Sequence, residues 1–172
     1  MPGAQRSLSN ELERSKLLSI PSLFTDSQAV KVKLLAYCLM PDHYHLLVKS
    51  SSLPLVSKYI GDIQNSYSRY VNISRKRKGP LWQSRFRRVR VMSDAQLAHV
   101  TRYIHLNPVT SYLCEKPQDW IYSSYRHYIT NDQFFLTYLR ELSFKTAKRY
   151  RHFVEDQIDY QRKLRLIKNH LF

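Results

Sequence analysis

His43 and His45 flank Tyr44 at the start of the apolar run "HYHLLVK", directly after Pro41 and Asp42. Alternate residues of a strand share a face, so the two imidazoles point the same way. A pair so placed can hold one divalent cation between its nitrogens. Sixty positions after His43 stands Tyr103, and Asn107 follows four residues later in "TRYIHLNP". On a helix that spacing stacks the two side chains on one face. A tyrosine hydroxyl, with a pKa of ~10, is a poor nucleophile unaided. It becomes competent against phosphorus when a bound cation draws charge from the phosphate oxygens, and an amide oxygen at Asn107 suits the same cation. Taken one at a time, these residues have plainer readings. His-x-His alone is a weak signal, and Tyr103 is one of 13 tyrosines, a type that commonly fills cores.

The elements that must position these groups follow from periodicity and punctuation. A helix is expected over residues 8–19, capped by Ser9, with Leu12, Leu17 and Leu18 on one side. "KVKLLAYCLM" reads as a strand, Pro41-Asp42 as a turn and "HYHLLVK" as a second strand, together an antiparallel hairpin. Residues 54–75 predict a long helix with Pro54 in its first turn. Val56, Tyr59, Ile60, Ile63, Tyr67, Tyr70 and Val71 recur there at intervals of three and four. "LWQSRFRRVRVM", residues 81–92, nearly alternates arginine with apolar side chains, the pattern of a strand packed on one face.

The tyrosine helix begins in "SDAQLAHV", where Ser93 and Gln96 form a capping box. Leu97, Val100 and Ile104 line its core side, Gln96 and His99 fall near the Tyr103 edge, and Asn107-Pro108 is expected to stop it. "PQDWIYSSYRHYI" reads as an aromatic loop entering a short helix, and one or two basic helices follow from residue 140. Sheet pieces interleaved with long helices predict an α+β fold, an antiparallel sheet with helices packed on one face and a basic helical extension at the C-terminus.

Composition narrows the function classes. The chain has 172 residues, 43% hydrophobic and 13% aromatic, which suits one folded domain rather than a disordered segment. No apolar run approaches the ~20 residues that span a bilayer, and no signal-peptide core opens the chain. Two cysteines, Cys38 and Cys114, make no disulfide framework, so a cytoplasmic setting is expected. Lysine plus arginine number 28 against 13 acidic residues, a net charge of +15, which favours a polyanionic partner such as nucleic acid.

Four blocks carry a family resemblance, in order: "AYCLMPDHYHLLV", "GPLWQSRFRRVRV", "TRYIHLNPVTSYL" and "DWIYSSYRHY". They resemble the single-tyrosine HUH transposases, above all the REP-associated tyrosine transposases with their IS200-like domain. The resemblance implies a ferredoxin-like domain over residues 1–130, followed by a basic helical tail over 131–172. It implies a metal-dependent enzyme that nicks and rejoins single-stranded, hairpin-forming DNA in transposition, as a monomer or homodimer. By the same resemblance, His43 and His45 bind Mg²⁺ or Mn²⁺ and Asn107 is a third ligand. Tyr103 attacks the scissile phosphate, leaving a 5′-phosphotyrosine and a free 3′-OH, and a second 3′-OH reverses the step without ATP.

Three positions depart from the family pattern. Asp42 stands where the family usually has Asn, and Tyr122 where it usually has Trp. The family's opening strand survives only as a trace in Met1 to Gln5, so a central strand is expected to be missing, replaced or supplied by a partner chain.

Single strands are held by basic grooves with aromatic platforms. Arg75, Lys76, Arg77 and Lys78 end the long helix, and Arg85, Arg87, Arg88 and Arg90 precede the tyrosine helix. All eight are candidate phosphate contacts, which position a nucleic acid without reading its sequence. Trp82 and Phe86 suit the core better than base stacking. Two other functions use the same residues: a relative that binds structured nucleic acid without cutting, and a phosphohydrolase in which water replaces Tyr103.

Overall fold

A computed structural model describes residues 32–130 and 138–171 of the chain. The helix expected over 8–19 and the strand trace at Met1 to Gln5 lie outside the described residues. The fold is α+β with an antiparallel sheet, as expected. Strands β1 (Val32–Leu39) and β2 (Tyr44–Ser50) form the hairpin, with Cys38 opposite His45 and Leu39 opposite Tyr44. The Met40 amide donates to the His43 carbonyl at 2.8 Å and closes the Pro41-Asp42 turn. Side chains alternate across a strand, so Ala36, Cys38 and Leu47 are buried on the face that carries His45.

Helix α1 (Leu53–Ser74) has Pro54 in its first turn, where a missing N–H costs nothing. Of its apolar stripe only Ile60 is fully buried, while Tyr67 and Tyr70 stay half exposed. Tyr44, on the opposite strand face from His45, reaches this helix. Its hydroxyl accepts from Gln64 Nε2 at 2.9 Å, and its ring meets Trp82 edge-on at 5.5 Å. Trp82 in turn donates to the Gln64 carbonyl at 3.1 Å, the core-type role expected for it.

Residues 81–92 are irregular, which corrects the expected strand. Alternation makes a strand only where a neighbour supplies a backbone ladder. Among the described residues β1 and β2 pair with each other, and this segment joins neither. Its apolar positions are consequently not all covered, and Val89 remains 86% exposed.

Helix α2 (Asp94–Thr110) carries Tyr103. Ser93 Oγ accepts from the Gln96 amide at 3.2 Å, and Gln96 Oε1 accepts from the Met92 amide at 2.7 Å, a capping box shifted back by one residue. The expected stop at Asn107-Pro108 is also corrected, because the helix runs through Pro108 to Thr110. A proline so close to the end removes one hydrogen bond, and other groups secure the terminus. The amides of Tyr112 and Leu113 donate back to Val109 and Pro108, a closing motif for which Tyr112 adopts φ 57°.

Two arginines complete that terminus from helix α5 (Ile158–Leu171). Arg162 Nε donates to the Val109 carbonyl at 3.4 Å, and Arg165 donates to Ser111 Oγ at 2.6 Å. Their positive charge suits the negative end of a helix dipole.

The remaining elements are α3 (Tyr125–Ile129) and α4 (Ala147–Glu155). Tyr125 and Tyr128 of α3, Tyr150 and Val154 of α4, and Tyr138, Leu139 and Leu142 share one core with Leu35, Ala36, Leu47, Ile104 and Leu106. Residues 138–154, expected within a basic tail, thus contribute apolar side chains to the core of the hairpin and α2. Among the described residues no helix is long and apolar enough to cross a membrane.

Candidate active site

The hairpin turn delivers the first histidine. His43 Nδ1 lies 2.6 Å from Asp42 Oδ1, and His43 Nε2 lies 3.1 Å from His45 Nε2, with the rings edge-to-face. Two ligand nitrogens about 2.1 Å from one cation, at right angles to each other, sit about 3.0 Å apart. The pair therefore fits adjacent corners of an octahedral cation such as Mg²⁺ or Mn²⁺. The hydrogen bond from His43, then its charge, hold the Asp42 carboxyl below the usual carboxylate range. Burial, with the neighbouring His43, lowers His45 and keeps it in the neutral form that ligates.

Tyr103 faces this pair. Its ring lies edge-on to His45 at 5.5 Å between centroids, and the side chain is 52% exposed. A hydroxyl that is to meet a phosphate must reach solvent, so this exposure of a large aromatic suits the role. Asn107, one turn further along α2, is buried. Its Nδ2 donates to the Tyr103 carbonyl at 3.0 Å, so Oδ1 is the atom left to serve a cation. Among the described residues no group of three or more His, Cys, Asp or Glu side chains is placed to hold a metal. A cation on the pair would thus need its other ligands from groups outside that set.

Other residues near the Tyr103 edge do different work. Gln96 belongs to the helix cap, and His99 pairs with Arg102 at 2.7 Å and packs on Phe153. Arg75, Lys76 and Lys78 are exposed at the end of α1, while Arg77 is partly covered and donates to the Pro80 carbonyl at 3.1 Å. Arg85, Arg87, Arg88 and Arg90 are exposed, Arg88 donating to Ser57 Oγ at 3.4 Å. Among the described residues none of these eight pairs with a carboxylate, and all but the partly covered Arg77 are exposed.

Two features escaped sequence reasoning. One is the Asp42–His43 contact, whose only signal was adjacency after a proline. The other is His105, two residues past Tyr103 and fully buried. Its Nδ1 lies 2.6 Å from the Tyr150 hydroxyl and its Nε2 2.8 Å from Ser124 Oγ, which also accepts from the Tyr37 amide at 2.9 Å. The network is satisfied if Tyr150 donates to Nδ1, Nε2–H donates to Ser124, and Ser124 donates to the Tyr37 carbonyl. It ties α2 to α4 and to β1. Burial pushes His105 down to about 3, so the imidazole is neutral there.

Residues 8–107 match the family model described as "Transposase IS200 like", a span that contains His43, His45 and Tyr103 and ends on Asn107. The chain is also similar to a protein of Haemophilus influenzae named "Putative REP-associated tyrosine transposase", with 30% identity over 100 residues. That match covers 52% of this chain and 57% of the relative. No solved structure matches the chain.

Proposed function

The chain belongs to the IS200-like transposase family, and from that premise we propose that it nicks and rejoins single-stranded, hairpin-forming DNA through a covalent bond to Tyr103. The observation that carries this reading is the Tyr103 ring set against His45, whose Nε2 lies 3.1 Å from that of His43. A nucleophile and a cation-binding pair on neighbouring elements are the minimum kit for attack on a phosphodiester.

In the first step the Tyr103 oxygen attacks phosphorus and gives up its proton. The bond from phosphorus to the 3′ oxygen breaks, and that oxygen takes a proton to leave as a free 3′-OH. The 5′ side stays attached to Tyr103 as a phosphotyrosine. Mg²⁺ or Mn²⁺, when bound, would neutralise charge on the phosphate oxygens. His43 and His45 would hold that ion, with the Asn107 amide oxygen as a further ligand. The exposed Arg85, Arg87, Arg88 and Arg90, with Arg75, Lys76, Arg77 and Lys78, would grip the backbone on either side. Attack by another 3′-OH on the phosphotyrosine reverses the step and conserves the energy of the bond.

The test is incubation with Mn²⁺ and an end-labelled hairpin oligonucleotide, resolved on a denaturing protein gel. A covalent band that disappears in Tyr103→Phe supports the reading. Cleavage that persists in Tyr103→Phe assigns attack to water, and binding without cleavage in the wild type contradicts strand transfer.

A further inference from the structure

We propose that Asp42 is a positioning residue that fixes the tautomer of His43, so that the Nε2 lone pairs of His43 and His45 converge on one cation. This rests on the cation-binding reading above.

A neutral imidazole carries one N–H, on either nitrogen. His43 Nδ1 sits 2.6 Å from Asp42 Oδ1, and an ionised carboxylate only accepts. Nδ1 therefore carries a proton whether the ring is charged or neutral, and in the neutral ring, the form that ligates, Nε2 keeps its lone pair. That lone pair faces His45 Nε2 at 3.1 Å, a hydrogen-bond distance at which His45 Nε2–H donates to it until a cation takes the proton's place. Without the carboxylate, an exposed imidazole distributes its proton between both nitrogens, and molecules protonated at Nε2 cannot ligate through it.

Arg165 also attracts the carboxylate, but among the described residues its side-chain hydrogen-bond partner is His43. The Asp42 side chain is 84% exposed, and its ion pair is with His43. The turn itself is closed by main-chain groups, the Met40 amide and the His43 carbonyl, so the fold does not require an acid there. Asp42 also lies on the far side of the ring from Nε2. It can thus hold the ligand's ring and proton in place without standing beside the phosphate. Such carboxylate–histidine–metal arrangements typically alter metal affinity 10- to 100-fold when the outer partner is removed.

Two measurements on the full chain test this, neither requiring turnover. Long-range ¹⁵N–¹H NMR of the metal-free protein reads the His43 tautomer directly. Wild type is expected to show an unprotonated Nε2, Asp42→Asn to keep that pattern through its amide oxygen, and Asp42→Ala to shift toward Nε2–H. Mn²⁺ titration followed by electron paramagnetic resonance then gives the affinity. Asp42→Ala is expected to bind at least tenfold more weakly than wild type, with Asp42→Asn between them. An unchanged tautomer in Asp42→Ala overturns the proposal, as does a changed tautomer with unchanged Mn²⁺ affinity. His45→Ala separates the two ideas. If it binds Mn²⁺ like wild type, the cation site itself is refuted and the role of Asp42 falls with it.

Discussion

At the scale of single residues, the hard constraint is on His105. Its neutral imidazole fills a cage of Tyr125, Tyr128 and Tyr150 rings and bonds at both nitrogens. Replacing it with alanine opens a cavity and strands the Tyr150 and Ser124 hydroxyls. The expected loss is about 3 kcal/mol, read by urea denaturation. Its pKa of about 3 in the folded chain lies below the ordinary unfolded value of ~6.5. As pH falls below ~6.5 the unfolded chain gains a proton that the folded chain refuses, so stability declines on acidification. Between pH 7 and pH 5 the wild type should lose about 2 kcal/mol more than His105→Phe, and equal losses would refute the assignment. The ligand-type residues were legible in the sequence because their spacing is local to one strand or one helix. His105 was not, since its partners lie 19 and 45 positions away.

Among the elements, the hairpin and both long helices form where periodicity and caps placed them, whereas residues 81–92 do not form the expected strand. Arg-apolar alternation describes a preference for a half-covered surface, and the covering must come from elsewhere in the chain. Pro108 misled for a different reason: so near the C-terminus it forfeits a single backbone hydrogen bond, and the closing turn at Tyr112 and Leu113, with Arg162, secures the end. The end of α1 gives a clean test. Lys76 adopts φ 49° while its amide donates to Ile73, and a β-carbon makes that left-handed conformation costly. Lys76→Gly should raise stability by about 0.5–1 kcal/mol in urea melts. At the other helix, Ser93→Ala removes the acceptor for the Gln96 amide and should cost about 1 kcal/mol by the same measurement.

For the whole molecule, charge and covalency are the testable properties. The net charge of +15 was visible in composition, and the structure adds that the four arginines of 85–90 face outward. If each neutralises a phosphate, replacing all four with alanine should reduce the slope of log affinity against log salt for single-stranded DNA by about 3. An unchanged slope would place the DNA elsewhere. The central claim is narrower, that one tyrosine among 13 becomes bonded to DNA. Digesting the Mn²⁺ reaction with trypsin and nuclease, then mapping the nucleotide-bearing peptide by mass spectrometry, tests it directly. A phosphonucleotide on Tyr103 and a free 3′-OH on the released strand are the expected products. An adduct on another tyrosine, or cleaved DNA with no protein adduct, would contradict it.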